Sequence, residues 1–281
     1  MTIKDKSSLS SETFQGRACA STRTPPWRDI PVCVIVAHPD DETVGCGAQL
    51  SKNATVVVVT DGAPRNLIDA TTYGFKTAHE YAAARATEFR SAMRIADVRG
   101  TSIMQIGVPD QTAVRHIASV ARVLTGIITR REIHCAITHA YEGGHPDHDA
   151  VACGAFAAGH LLERRGRPIS LYEMPLYRQG SKGELRQSFT PNEHVAERVW
   201  SLDANAQARK EQMLACYVTQ RRTLSGFAVD TERFRPMPKY DFTLLPNKGR
   251  LLYEHQDWGI RTGAEWQAFA MRALAELDLI E

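Results

Sequence analysis

Apolar positions in the first 175 residues form short continuous runs, separated by stretches in which they recur every three or four residues. The runs fall at 32–37, 55–60, 102–106, 133–138 and 169–174, and are rich in Val and Ile. Continuous apolarity over so few residues predicts strands covered on both faces, as in a parallel sheet. The stretch 79–97 has helical spacing, with Tyr81, Ala82, Phe89, Ala92, Met93 and Ala96 on one stripe and Arg85 and Glu88 expected outside it. Residues 112–130 and 149–165 read as further helices, and 47–52 as a short helical piece after the first strand. Strand–helix alternation predicts right-handed crossover units. The expected fold class is α/β: a three-layer, Rossmann-like fold with a mainly parallel sheet and an irregular C-terminal extension.

Beyond residue 175 the pattern weakens. Residues 177–192 read as loop or irregular strand. Residues 201–220 read as a helix capped by Ser201, with Ala206, Met213, Leu214 and Tyr217 on one face. Residues 231–249 carry Pro236, Pro238 and Pro246 and read as extended loop, and the chain is helix-prone from Thr262. The expected organisation is a flexible polar tail over 1–28, a catalytic domain over 29–220, and an extension over 221–281 packed on that domain as a cap over the strand ends.

Charge and composition narrow the class. The balance of 34 basic against 32 acidic residues speaks against nucleic acid or an anionic membrane as partner. Six cysteines are scattered without a Cys-x-x-Cys pair, and Cys33 and Cys135 fall inside expected strands, a usage that fits a reducing compartment. No apolar core of signal-peptide length opens the chain, and no run approaches the roughly 18 residues of a membrane span. A cytoplasmic enzyme without stable membrane insertion is expected, and a homo-oligomer stays open.

Two clusters carry the candidate chemistry: His38-Pro39-Asp40-Asp41-Glu42 after the first strand, and His145-Pro146-Asp147-His148 after the fourth. Ligands bind open α/β sheets outside the carboxyl ends of the strands, so both clusters are expected at one edge. Together they offer metal ligands with a carboxylate to spare, as a hydrolytic centre requires. Zn2+ is the expected cofactor, with Fe2+, Mn2+ or Co2+ compatible with the same ligands. His139 is expected to be structural. Gly45-Cys46-Gly47 fails the dinucleotide spacing because Leu50 stands at the third glycine position, which excludes a nucleotide cofactor.

The two clusters resemble the signatures of the LmbE-like, or GlcNAc-phosphatidylinositol deacetylase (PIG-L-like), family of metal-dependent N-deacetylases. Weaker echoes lie at 57–62, at Arg85-x-x-Glu88, at Gly107-Val108-Pro109-Asp110 and at 210–220. The resemblance implies His38, Asp41 and His148 as metal ligands and Asp40 as general base toward a water held at the metal. It implies His145 as acid or oxyanion partner, with Asp147 orienting its ring, and Asp110 as a contact to sugar hydroxyls. Where many members carry an arginine before the Arg-x-x-Glu pair, this chain reads Phe75-Lys76-Thr77-Ala78-His79, leaving Arg65 as a substitute for substrate binding. Tyr141 is expected to line or gate the pocket. The implied activity removes an N-acetyl group from an N-acetylglucosamine-type sugar or glycoconjugate. The alternatives are hydrolysis of another amide or ester, such as a long-chain N-acyl group, and a non-catalytic metal- and sugar-binding module.

Overall fold

The computed structural model describes Trp27 and residues 30–280. Apart from Trp27, the expected flexible tail lies outside the described residues. Trp27 itself is buried, with its ring centroid 4.8 Å from that of Tyr172 and 5.0 Å from that of Phe234.

The N-terminal part runs β1 (Val32–Val36), α1 (Asp41–Cys46), β2 (Ala54–Thr60), α2 (Ile68–Thr72), α3 (Ala78–Ile95), β3 (Ile103–Val108), α4 (Ile117–Arg130), β4 (Cys135–His139), α5 (Pro146–Glu163) and β5 (Ser170–Met174). The remainder runs β6 (Tyr177–Gln179), β7 (Glu184–Arg186), β8 (Arg198–Ser201), α6 (Ala204–Ala215), α7 (Arg221–Leu224), β9 (Thr231–Pro236) and α8 (Gly263–Glu276).

The large sheet has the order β3-β2-β1-β4-β5-β9-β8. The first five strands are parallel, and β9 and β8 continue the sheet antiparallel. The architecture is the expected mainly parallel, Rossmann-like α/β fold. Alternate residues of the inner strands serve two cores, which is why their apolar runs are unbroken. Cys33, Ile35, Val57 and Val59 enter the layer built with α4, α5 and α8. Val32, Val34, Val56 and Val58 face the layer holding Phe89, Met93 and Met213. Each such valine or isoleucine contributes about 1.5–3 kcal/mol on burial.

Several boundaries differ from the sequence reading. The first helix starts at Asp41, directly from the cluster, instead of at Gly47. Helix α5 starts at Pro146, which puts His148 in its first turn. Ser201 ends β8, and Asp203 caps α6 by accepting a hydrogen bond from the Ala206 N–H. The expected loop over 231–249 begins with β9, whose Glu232, Phe234 and Arg235 are buried. Arg85 lies on the buried stripe of α3 rather than outside it, spaced by four from Tyr81 and Phe89. No described helix is long and apolar enough to cross a membrane.

Candidate metal centre and active site

Strand order reverses between β1 and β4, since β1 connects outward to β2 while β4 connects outward to β5. The two strands pair in parallel from Val32 opposite Cys135. Their carboxyl ends therefore open side by side, and both clusters emerge there. His38, Asp40, Asp41, Asp110, His145 and His148 are each less than a tenth exposed.

Three donor atoms form a nearly equilateral triangle. His38 Nδ1 lies 3.2 Å from His148 Nε2 and 3.3 Å from Asp41 Oδ2, and His148 Nε2 lies 3.4 Å from the same oxygen. Ligand atoms about 2.0–2.1 Å from a tetrahedral ion sit about 3.3 Å apart, so the face fits a small divalent cation. The His38 N–H donates to Asp41 Oδ2 at 2.8 Å, which fixes the carboxylate against the turn.

The other ring nitrogens are also directed. His38 Nε2 lies 3.1 Å from Asp110 Oδ1 and 3.4 Å from Asp147 Oδ2. A carboxylate behind a ligating imidazole sets its tautomer and raises its basicity. His139 Nε2 accepts the Ala37 N–H at 2.8 Å. That bond makes His139 a neutral ring protonated on Nδ1, and the ring stacks on His148 with centroids 4.1 Å apart and planes 3° apart. His139 therefore stands against a candidate ligand, with its Nε2 also 3.5 Å from Asp41 Oδ2.

Asp40 occupies the N-cap position of α1, but its side chain makes no cap bond. Its Oδ2 accepts from Arg85 Nη2 at 2.8 Å, leaving the second oxygen without a partner among the described residues. Its backbone has φ 127° and ψ −30°, a region costly for any residue but glycine. Arg85 also donates to the carbonyls of Pro39 at 2.7 Å and Gly62 at 2.5 Å, tying the β1 and β2 loops together.

Electrostatics separate the groups. Burial pushes Asp40 up to about 8 against the pull of Arg85, with Asp41 and Glu42 adding repulsion. Burial also acts on Asp41, but His148 and His38 outweigh it and hold this carboxyl well below its usual range. Burial lowers His145 well below the ordinary histidine range, aided by His38 and His148.

His145 caps α5 through its ring: Nδ1 accepts the Asp147 N–H at 3.1 Å. The neutral ring then carries its proton on Nε2. Asp147 meets this ring through its backbone N–H. The carboxylate instead accepts the N–H groups of Gln111 at 2.7 Å and Ala113 at 2.9 Å, pinning the β3–α4 loop that carries Asp110.

The remaining expected contacts lie elsewhere. Arg65 is half-exposed and folds back on Asp61, with Nη2 2.5 Å from Oδ2. Tyr141 does not gate a pocket. Its ring is buried among Tyr240, Phe242 and Trp266, and its hydroxyl donates to the Leu244 carbonyl at 3.1 Å. Burial of a large ring with its one polar atom satisfied is a core role. Asp110 backs the His38 ring at 3.1 Å.

Two aromatic rings pack on the imidazoles of the site; from sequence Trp258 reads equally as core or as a sugar-stacking platform, and Tyr177 carries no such reading. Trp258 packs on His145 with centroids 4.6 Å apart, and Tyr177 packs on His148 at 5.2 Å. No motif marks either one. Tyr177, just beyond β5, comes close to the second cluster because Gly144 lets its backbone approach: a Cβ there would overlap the Tyr177 carbonyl.

Fold and site together define a Rossmann-like α/β protein with a histidine–carboxylate centre at the sheet's switch point. Residues 33–158 match the sequence model of the family described as PIG-L: GlcNAc-PI de-N-acetylase. No curated protein matches the sequence significantly.

Among solved structures, the A40926 pseudoaglycone deacetylase Dbv21 shares the fold with a TM-score of 0.57 at 18% identity, over 75% of this chain and 98% of that one. The zinc inhibited form of teicoplanin deacetylase Orf2 gives 0.56 at 17% identity, over 75% and 98%. The N,N'-diacetylchitobiose deacetylase from Pyrococcus horikoshii gives 0.54 at 18%, over 76% and 86%.

Proposed function

We propose that this protein is a divalent-metal-dependent hydrolase that removes the N-acetyl group from an N-acetylglucosamine-type sugar or glycoconjugate. The observation that carries the reading is the triangle of His38 Nδ1, Asp41 Oδ2 and His148 Nε2, with sides of 3.2–3.4 Å, beside a buried carboxylate that stands outside it. The match to the PIG-L family model, and the deacetylases among the structures sharing this fold, support amide hydrolysis on a sugar. Zinc is the first choice for mixed nitrogen and oxygen donors, and Fe2+, Mn2+ and Co2+ suit the same set.

A cation held by the triangle would polarise an amide carbonyl and make water nucleophilic at neutral pH. The chain's own groups do the rest. Asp40, steadied through one oxygen by Arg85 and ionised once the charge of a bound cation lies beside it, takes the proton of the attacking water on its other oxygen. His145 offers Nε2–H to the carbonyl oxygen as negative charge develops there. The proton held by Asp40 then balances the one needed by the departing amine. Asp147 and Asp110 act as positioning residues that hold His38 and the loop beside it. A cytoplasmic setting fits the buried free cysteines.

The test is free-amine release from N-acetylglucosamine, N-acetylchitobiose and a panel of their glycosides, before and after chelation. Release should vanish with chelator and return with stoichiometric zinc. Excess zinc is titrated separately, because one protein of the same fold is known in a zinc-inhibited form. Silence across the panel at every loading of zinc, iron, manganese and cobalt would overturn the reading.

A further inference from the structure

We infer that Trp258, braced edge to face by Tyr177, forms an aromatic platform beside the reaction centre, which stacks on the pyranose ring of the substrate and sets specificity for it. The inference deepens the proposed N-deacetylase reading and rests on it. The donors of the centre are nearly all buried, whereas Trp258 and Tyr177 are partly exposed and touch two of its imidazoles. Their own rings lie 6.4 Å apart at 63°. A substrate that reaches His145 and His148 from solvent therefore passes these two faces.

Trp258 is held in place, not merely nearby. Its segment is fastened by the Leu252 N–H donating to Gly143 O at 2.7 Å, and the Gly263 N–H donates to Glu254 Oε1 at 2.6 Å. On the other side Gly259, with φ +77°, packs against the Gln111 carbonyl so closely that a Cβ would overlap it. Gln111 belongs to the loop pinned by Asp147, so the indole is located by the same carboxylate that backs His38.

The chemistry favours a sugar over an acyl chain. An aromatic face covers the apolar C–H face of a pyranose and leaves its hydroxyls at the rim. His255, Gln256 and Asp257, the exposed residues that precede the indole in the chain, carry donors and acceptors that such hydroxyls could use. A long acyl chain would use none of them.

The experiment compares wild type with Trp258→Ala and Trp258→Phe, zinc-loaded, on N-acetylchitobiose and on a small non-sugar N-acetylamine. Trp258→Ala should raise KM for the sugar about tenfold, with kcat within about twofold, Trp258→Phe recovering most of the loss, and the non-sugar substrate unaffected. Zinc stoichiometry and Tm should match wild type. An unchanged sugar KM, or equal losses on both substrates, would overturn the inference, as would losses confined to long-chain N-acyl sugars. A second measurement separates this from the underlying reading: quenching of tryptophan fluorescence by N-acetylchitobiose, in wild type and in Trp258→Phe. Quenching that Trp258→Phe abolishes, in a protein that releases no amine, would uphold the platform while the deacetylase reading falls. No quenching and no turnover would remove both.

Discussion

Two clusters of buried charge lie one strand apart, and they are finished differently. Opposite one another on β5 and β9, Glu173 and Arg235 form a closed set. Arg235 Nε donates to Glu173 Oε1 at 2.5 Å, Tyr240 takes the other oxygen at 2.7 Å, and Arg235 Nη1 reaches the Thr190 carbonyl at 2.7 Å. Beyond β1 and β4 the cluster stays open. His38 Nδ1, Asp41 Oδ2 and His148 Nε2, three atoms able to donate a lone pair, crowd within 3.4 Å of one another. Burying polar groups is costly unless partners satisfy them. A closed set meets that cost within the fold, while an open one is arranged around something the chain does not contain.

The difference can be broken from either side. The largest effect expected is on chemistry. Asp40→Asn keeps the triangle and should lower kcat by about 10²–10⁴, with metal content and Tm close to wild type. Metal loss or unfolding in that variant would move Asp40 into the structural class. Arg235→Met, on the closed side, leaves the Glu173 carboxylate buried and unpaired, at about 3–5 kcal/mol in urea denaturation. The folded fraction should bind zinc as wild type does, and weakened zinc binding would show that the two clusters are coupled. The smallest effect is Tyr141→Phe, which removes the hydroxyl bonded to Leu244. It should cost about 1 kcal/mol of stability and leave KM alone. A shifted KM would restore Tyr141 to the substrate's path.

Much of the open cluster was legible because its residues are consecutive and follow strands whose apolar runs are unbroken. The placement of His38, Asp41 and His148 at one edge needed only the two strands and the rule for parallel sheets. What escaped was carried by tertiary contact. Arg85 read as a solvent-facing residue of α3, since a charge on a helix is normally exposed, yet three buried oxygens accept from its guanidinium. Tyr141 beside a glycine turn looked like a pocket residue until Tyr240, Phe242 and Trp266, 99 to 125 residues further along, closed around it. Strand β9 was hidden by its charges: Glu232 and Arg235 are buried because Lys210 and Glu173 meet them, and no local pattern announces such partners.

The backbone of Asp40 sets stability against function. A carboxylate held at φ 127° burdens the fold by about 1–3 kcal/mol, a burden glycine would lift. Arg85 resists that exchange, because losing its partner would strand a buried guanidinium. Engineering this protein for heat resistance would thus find little benefit in either change alone. Asp40→Gly combined with Arg85→Met would remove the strain and the stranded charge but leave the Pro39 and Gly62 carbonyls without their donor, so the base and its tether are held in the chain as one unit.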